Sequence, residues 1–206
     1  MEVDDNQAAI VFPPVSISAG SSNAKTEIQR ISVPSNRISN LRRQWSDICS
    51  PIVSQLSLQI RFNVKTRCIE IRPTPDTKDA SMSLQKAVDF TQAIIKGFSI
   101  DDSIALIRLD DLFVETFEVT DVKMLAGDHL SRAIGRIAGH NGRTKFTIEN
   151  VTRTRIVLAG SKVSILGSYQ NIRSARRAIC NLILGRPPSK VYGNMRAVAS
   201  RMNSRL

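Results

Sequence analysis

The chain has 206 residues, 42% of them hydrophobic, enough for one or two ordinary domain cores and too apolar for a wholly disordered polymer. From Lys123 onward 16 Lys and Arg face only Asp128 and Glu149, a net of +14, whereas residues 1–122 carry 13 basic and 16 acidic residues, a net of −3. A surplus confined to one half is the electrostatic footprint of a polyanion partner.

In chain order, residues 1–24 read as a flexible tail. Met1-Glu2-Val3-Asp4-Asp5 is acidic where a signal peptide is basic. The uncharged run that follows carries Pro13-Pro14, Gly20 and several serines, a poor spanning helix, so a soluble chain without a membrane partner is expected. Ile28 to Val33 reads as a strand, and Pro34-Ser35-Asn36 caps a helix in which Ile38, Leu41, Trp45 and Ile48 recur at helical spacing. Cys49-Ser50-Pro51 is expected to break that helix, Pro51 opening a second one that runs to about Gln55. Leu56, Leu58, Ile60, Phe62 and Val64 alternate as a strand does, and Ile69 and Ile71 continue the alternation after a turn near Lys65–Thr66, so a hairpin is predicted. A helix with Leu84, Val88, Thr91 and Ile95 on one side follows, and Gly97 is placed to stop it. Asp101-Asp102-Ser103 starts a brief connecting helix.

The plan then repeats. Phe113 to Val122 is predicted as a strand, and a helix from about His129 carries Leu130, Ile134 and Ile137. Gly139-His140-Asn141-Gly142 interrupts it before a helix with Phe146, Ile148 and Val151. Arg155 to Leu158 and the pair Val163 and Ile165 form a second hairpin around Ala159-Gly160-Ser161. The last helix has Ile172, Ala175, Ile179, Leu182 and Ile183 on one face, capped by Gly185, and Pro187-Pro188 closes the unit. Two β-α-α-β-β-α units define an α+β fold of tandem KH-type domains, the RNA-binding module whose GxxG loop clamps about four nucleotides of backbone. The expected division is a tail at 1–24, a degenerate KH-like domain with its connector at 25–112, a KH domain with GxxG at 113–188, and a basic extension at 189–206.

A bare GxxG occurs by chance; its placement between two helices and before a hairpin gives it meaning. Glycines let backbone approach a phosphate that a Cβ would fend off, and the helix after the loop points free N–H groups and its positive dipole end at the same spot. The candidate RNA-binding residues are Gly139, His140, Asn141, Gly142, Arg143 and Lys145, with Arg132, Arg136, Arg153 and Arg155 nearby. Ile134, Ile137, Ile148 and Ile156 would form an apolar floor for bases, and most of these side chains must also serve the core. The first unit has no such loop, and a packing or protein-binding role is expected for it. Arg173, Arg176 and Arg177 should lie on the outer face of the last helix, either solvated or meeting RNA. The tail from Ser189 has helical spacing and basic residues, and reads either as a basic helix docking on RNA or on a partner or as a frayed end.

Gly127-Asp128-His129-Leu130-Ser131-Arg132-Ala133-Ile134-Gly135-Arg136-Ile137-Ala138-Gly139, Lys145 to Asn150, Thr152 to Leu158, Leu182 to Gly185 and Lys190 to Asn194 resemble the partner-of-Nob-one family, also called Dim-two. So does Ala105 to Leu112 in the connector, and the likeness spans roughly residues 36–206. The resemblance implies an assembly factor of the small ribosomal subunit that binds pre-rRNA near the 3′ end of the small-subunit rRNA. It implies association with the Nob-one type endonuclease, the rRNA dimethyltransferase and the pre-40S particle, in the nucleolus and then the cytoplasm. It also implies a first KH-like unit without GxxG. Where the family loop has Lys, this chain has His140, and Lys145 and Arg153 stand where KH domains generally carry an apolar residue and a Gly.

Other classes fit less well. A P-loop ending at Gly142-Arg143-Thr144 would need Gly at position 137, which is Ile, and Lys in place of Arg143. The basic half has two carboxylates and no convergent acid–base pair, so no enzymatic activity and no cofactor are expected. No Cys or His pair has zinc-ligand spacing. Cys49, Cys68 and Cys180 sit far apart among apolar neighbours and read as buried, reduced thiols of an intracellular protein. The alternative function is a general single-stranded RNA or mRNA regulator using the same clamp.

Overall fold

The alternating run after Leu56 folds as half of a hairpin in the computed structural model, which describes residues 28–77 and 79–203; the predicted tail at 1–24 lies outside them. The first unit comprises β1 (Gln29–Ser32), α1 (Ser35–Arg43), α2 (Trp45–Leu56), β2 (Leu58–Asn63), β3 (Cys68–Pro73) and α3 (Ala80–Lys96). At the hairpin tip the Asn63 side-chain oxygen accepts from the N–H groups of Lys65 and Thr66 at 3.2 and 3.4 Å, an Asx turn that fixes the register Phe62 opposite Ile69. The sheet order β1-β3-β2 puts β3 in the centre, and Ile69 and Ile71 are fully buried with Leu41, Ile48, Ile52, Leu84 and Phe90. On the opposite face Glu70 sits between Arg30 and Arg61, the latter at 2.5 Å.

The corner between the first two helices falls at Gln44 and not at Cys49-Ser50-Pro51. Gln44 leaves helical geometry at φ −104°, ψ 16°, whereas Pro51 lies inside α2. Proline removes one helical N–H there. Ile48 and Ile52 beside it have no exposed surface and Pro51 itself is buried, so packing offsets the loss.

α4 (Ile100–Arg108) connects the units, capped by the Ser99 hydroxyl oxygen accepting from the Asp102 N–H. The second unit comprises β4 (Leu112–Glu118), α5 (Val119–Val122), α6 (Asp128–Ala138), a 3-10 turn at His140–Gly142, α7 (Arg143–Thr152), β5 (Arg155–Ala159), β6 (Lys162–Ser168), α8 (Tyr169–Ile183) and α9 (Pro188–Asn203). Its order β4-β6-β5 corresponds strand for strand to the first sheet, so the chain carries the βααββα plan twice. The strand read as running to Val122 stops at Glu118, because Glu118 and Asp121 form a reciprocal capping box that starts α5.

The second sheet is covered on both faces. Phe117, Val163 and Ile165 pack with Ile137, Ile179 and Leu182 of its own helices. Leu112, Val114, Val157 and Leu166 pack against Ala93, Phe98 and Leu106, from α3, the residue pair after it and α4. The first unit therefore does pack on its neighbour. Two ion pairs border this contact, Arg155–Asp102 at 2.9 Å and Lys86–Asp110 at 2.5 Å.

Residues 188–203 are a helix whose Val191 and Met195 are buried in the second core, so this stretch docks on the domain instead of fraying. The cysteines are half-buried, not sealed in the core, and burial still pushes the Cys49 and Cys180 thiols upward. Among the described residues, no helix is long and apolar enough to cross a membrane.

Candidate nucleic-acid interface

α6 ends where Gly139 turns to φ 74°, ψ 176°, and α7 begins after Gly142 at φ 75°, ψ 7°. The two glycines serve different ends. A Cβ on Gly139 would stand 2.7 Å from the Thr144 Cβ and 2.8 Å from its backbone N, so α7 can start this close to α6 only above a hydrogen atom. A Cβ on Gly142 would meet nothing within 4 Å. The outer side of the corner is open, and a ligand can reach the backbone there. Asn141 between them is left-handed at φ 52°, a conformation its side chain tolerates better than most. His140, Asn141 and Arg143 are exposed around the opening.

The first turn of α7 points at this opening. Early N–H groups of a helix lack intrahelical acceptors and carry the positive end of its dipole. One of them, Arg143, is already turned back to the His140 carbonyl. Thr144, missed in the sequence reading, is buried beneath Gly139 and sets the corner's shape.

The cations expected around the loop are not equivalent. Arg143 and Arg132 are exposed, Arg132 donating to the Asp128 carbonyl at 3.2 Å one turn back. Lys145 is half-buried and lies 3.8 Å from Glu149, an i, i+4 pair on α7. Glu149 is itself buried and accepts from the Ile156 N–H at 2.7 Å, pinning α7 to β5. The Lys145 and Glu149 spacing was visible in the sequence and could have disclosed the pair. Arg136 leans away toward the C-terminal end of α8, where its guanidinium faces the Leu182 carbonyl at 3.5 Å. Arg153 is exposed and left-handed at φ 51°, closing α7 at the end opposite the loop; the geometry explains why a Gly suits this position.

Arg155 is bound to Asp102 of α4, which raises the guanidinium's pKa further, chiefly through that hydrogen bond. The structure thus brings Gly139, His140, Asn141, Gly142 and Arg143 to one opening, while Lys145 is held by Glu149. It sets Arg136, Arg153 and Arg155 at a distance or in other service.

The apolar floor expected for bases needs correction. Ile137 and Ile148 have no exposed surface and Ile156 is 1% exposed, so the core consumes them. Ile134 alone of the four is partly accessible. Arg176 also departs from expectation: it pairs with Glu115 and stacks over the Phe117 ring at 5.2 Å, so it is not a free outer-face charge.

A βααββα unit with sheet order β4-β6-β5 and a GxxG corner between its first two main helices is a KH domain, and residues 116–200 match the model of a eukaryotic type KH-domain (KH-domain type I), the second of PNO1. Over 182 residues the chain is 63% identical to the RNA-binding protein pno1 of Drosophila pseudoobscura pseudoobscura, covering 88% of this chain and 76% of that one. It is 54% identical over 203 residues to the pre-rRNA-processing protein PNO1 of Saccharomyces cerevisiae, covering 98% and 74%. The chain belongs to the PNO1 family. Among solved structures, it is similar to Dim2p from Pyrococcus horikoshii OT3, with 28% identity and a TM-score of 0.71 over 82% of this chain and 98% of that one. It is also similar to a chain in an a/eIF2alpha–aDim2p–rRNA complex from the same organism, at 27% identity and a TM-score of 0.74, covering 85% and 95%.

Proposed function

We propose that this protein binds pre-rRNA through the Gly139–Gly142 corner and acts in processing the RNA of the small ribosomal subunit. The observation that carries this reading is the open backbone at Gly142, set at the start of α7 and flanked by exposed His140, Asn141 and Arg143. Phosphate oxygens suit such a site because it offers N–H donors, a helix dipole and guanidinium charge without a Cβ in the way. The names of the relatives, RNA-binding protein and pre-rRNA-processing protein, support the same function, and the rRNA complex of the archaeal neighbour supports RNA as the ligand. The chemistry is binding and not catalysis.

More specifically, the target is pre-rRNA near the 3′ end of the small-subunit rRNA. The partners are the Nob-one type endonuclease, the rRNA dimethyltransferase and the pre-40S particle, and the protein travels from nucleolus to cytoplasm with that particle. These finer statements rest on the family motifs between Gly127 and Leu158 and between Leu182 and Asn194. The test is ultraviolet crosslinking in cells followed by sequencing of the adducts. Reads should pile up at the 3′ end of the small-subunit rRNA and its precursor. Reads spread over messenger RNAs would favour a general single-stranded RNA regulator instead.

A further inference from the structure

The chain's remaining positive charge is not all at the loop. Arg61, Arg155 and Arg176 are paired with Glu70, Asp102 and Glu115, and Arg30 shares Glu70 with Arg61. Arg173, Arg177 and Arg186 are exposed, and among the described residues none of their guanidiniums has an ion pair or hydrogen bond. All three line one open groove of about 680 Å³ between α8 and α9, reaching the C-terminal end of α7 at Val151 and Thr152. No acidic residue lines that groove, and Asn181 and Asn194 add neutral hydrogen-bonding groups to its walls. Three uncompensated cations around one concavity hold a positive potential that attracts an anion.

We propose that this α8–α9 groove is a second RNA-binding site, which holds the sugar–phosphate backbone of a stretch of RNA beyond the one seated at the GxxG corner. Arg173 and Arg177 lie one helical turn apart on α8, a step of roughly 6 Å that suits consecutive phosphates of one strand. Guanidiniums grip phosphate bidentately, and asparagine amides reach phosphate and ribose oxygens. The groove floor includes the side chains of Val191 and Met195, which leaves room for ribose carbons. α7 has ten residues and so separates the groove from the loop by about 15 Å, so a strand whose four nucleotides are seated at the clamp needs two or three further phosphate steps of roughly 6 Å to enter the groove. A longer RNA can engage both sites, and the affinity gained is that of a second, tethered contact. An acidic protein segment is the rival occupant. The bidentate, evenly stepped arginines and the neutral amides favour a regular polyphosphate chain over scattered carboxylates.

This inference rests on the RNA-binding reading, and the experiment separates the two. Full-length protein is prepared as wild type, as the double variant Arg173→Gln/Arg177→Gln, as Arg173→Lys/Arg177→Lys, and as Gly142→Asp. Binding is measured by fluorescence anisotropy to a single-stranded RNA of about four nucleotides, the span of one clamp, and to a small-subunit rRNA fragment several times longer. Each phosphate neutralised on a single strand is worth about 0.7 decade of affinity per decade of salt, so losing two costs roughly 25-fold at 0.1 M salt and flattens the log–log slope by about 1.4. The Gln pair should show that loss on the long RNA, none on the short one, and melt with the wild type, since both sites are exposed on a helix. The Lys pair should recover most of the affinity. Unchanged binding of the long RNA by the Gln pair overturns the groove. So does a result in which the Gln pair loses binding only to a poly-glutamate probe, which would make the occupant an acidic protein. If Gly142→Asp binds both RNAs like wild type, the loop reading itself fails, whatever the groove does.

Discussion

The two glycines of the corner should separate folding from binding when each is replaced. Gly139→Ala places a methyl 2.8 Å from the Thr144 backbone N and 2.7 Å from its Cβ, and a backbone atom at a helix start cannot step aside cheaply. Overpacking costs about 1–3 kcal/mol, and backbone at φ 74°, ψ 176°, a region essentially reserved for glycine, adds about 1–3 kcal/mol for an L residue, a large share of a typical 5–15 kcal/mol. Gly142→Asp meets no neighbour within 4 Å, so only the cost of φ 75° applies, and Asp bears that conformation better than most residues. Its carboxylate would instead stand against the incoming phosphate. At about 5 Å two unit charges repel by about 0.8 kcal/mol in bulk water and about 3.3 kcal/mol at the effective dielectric of a protein surface, a loss of between roughly fourfold and roughly 250-fold in affinity. Urea unfolding followed by circular dichroism, with anisotropy titration of a short single-stranded RNA, reads both quantities. Gly139→Ala should shift the unfolding midpoint strongly; Gly142→Asp should shift it little and bind poorly. Normal binding by a folded Gly142→Asp would refute the argument that the open side of the corner faces phosphate.

Two further outcomes follow from the ion pairs. Glu149→Ala leaves the buried Ile156 N–H without an acceptor and should cost about 1–3 kcal/mol in an unfolding titration, whereas Glu149→Gln keeps a carbonyl oxygen there and should cost less. The Arg61 guanidinium, hydrogen-bonded to Glu70, holds that carboxyl below the usual glutamate range, with Arg30 adding to the effect. A group with a lowered folded pKa adds stability above its unfolded pKa of about 4.3, and that stability is lost as pH falls through the folded value. The stability difference between wild type and Glu70→Gln should therefore be constant at neutral pH and close below about pH 4; a gap that widens on acidification would contradict the assignment.

Local signals carried most of the architecture. Strict alternation in Leu58–Asn63 and the run through Ile69 and Ile71 gave the hairpin, because a two-residue period has one reading when one face is buried. Gly97 and the Gly139–Gly142 corner were legible because chain direction changes there through backbone that most residues avoid. Pro51 misled because proline is a breaker by local rules, and only the buried surface of Ile48 and Ile52 shows why α2 runs through it. The Glu118–Asp121 capping box was present in the letters and would have ended β4 correctly.

What the sequence hid is nonlocal. Arg155 meets Asp102 across 53 positions, and the far face of the second sheet meets α3 and α4 of the other unit. The core duty of the expected base floor, by contrast, was legible in part. Ile137, Ile148 and Ile156 have the composition of a binding surface, but the packed helices and sheet bury them completely.

In the function proposed above, the Gly139–Gly142 corner seats a sugar–phosphate strand. Backbone amide resonances of residues 139–145, followed by NMR while a short single-stranded RNA is titrated into the intact protein, test it most directly. Saturable shifts should centre on Gly142, Arg143 and Thr144, with the Gln44 corner of the first unit unmoved. Saturable binding that leaves residues 139–145 in place and moves another surface would contradict it.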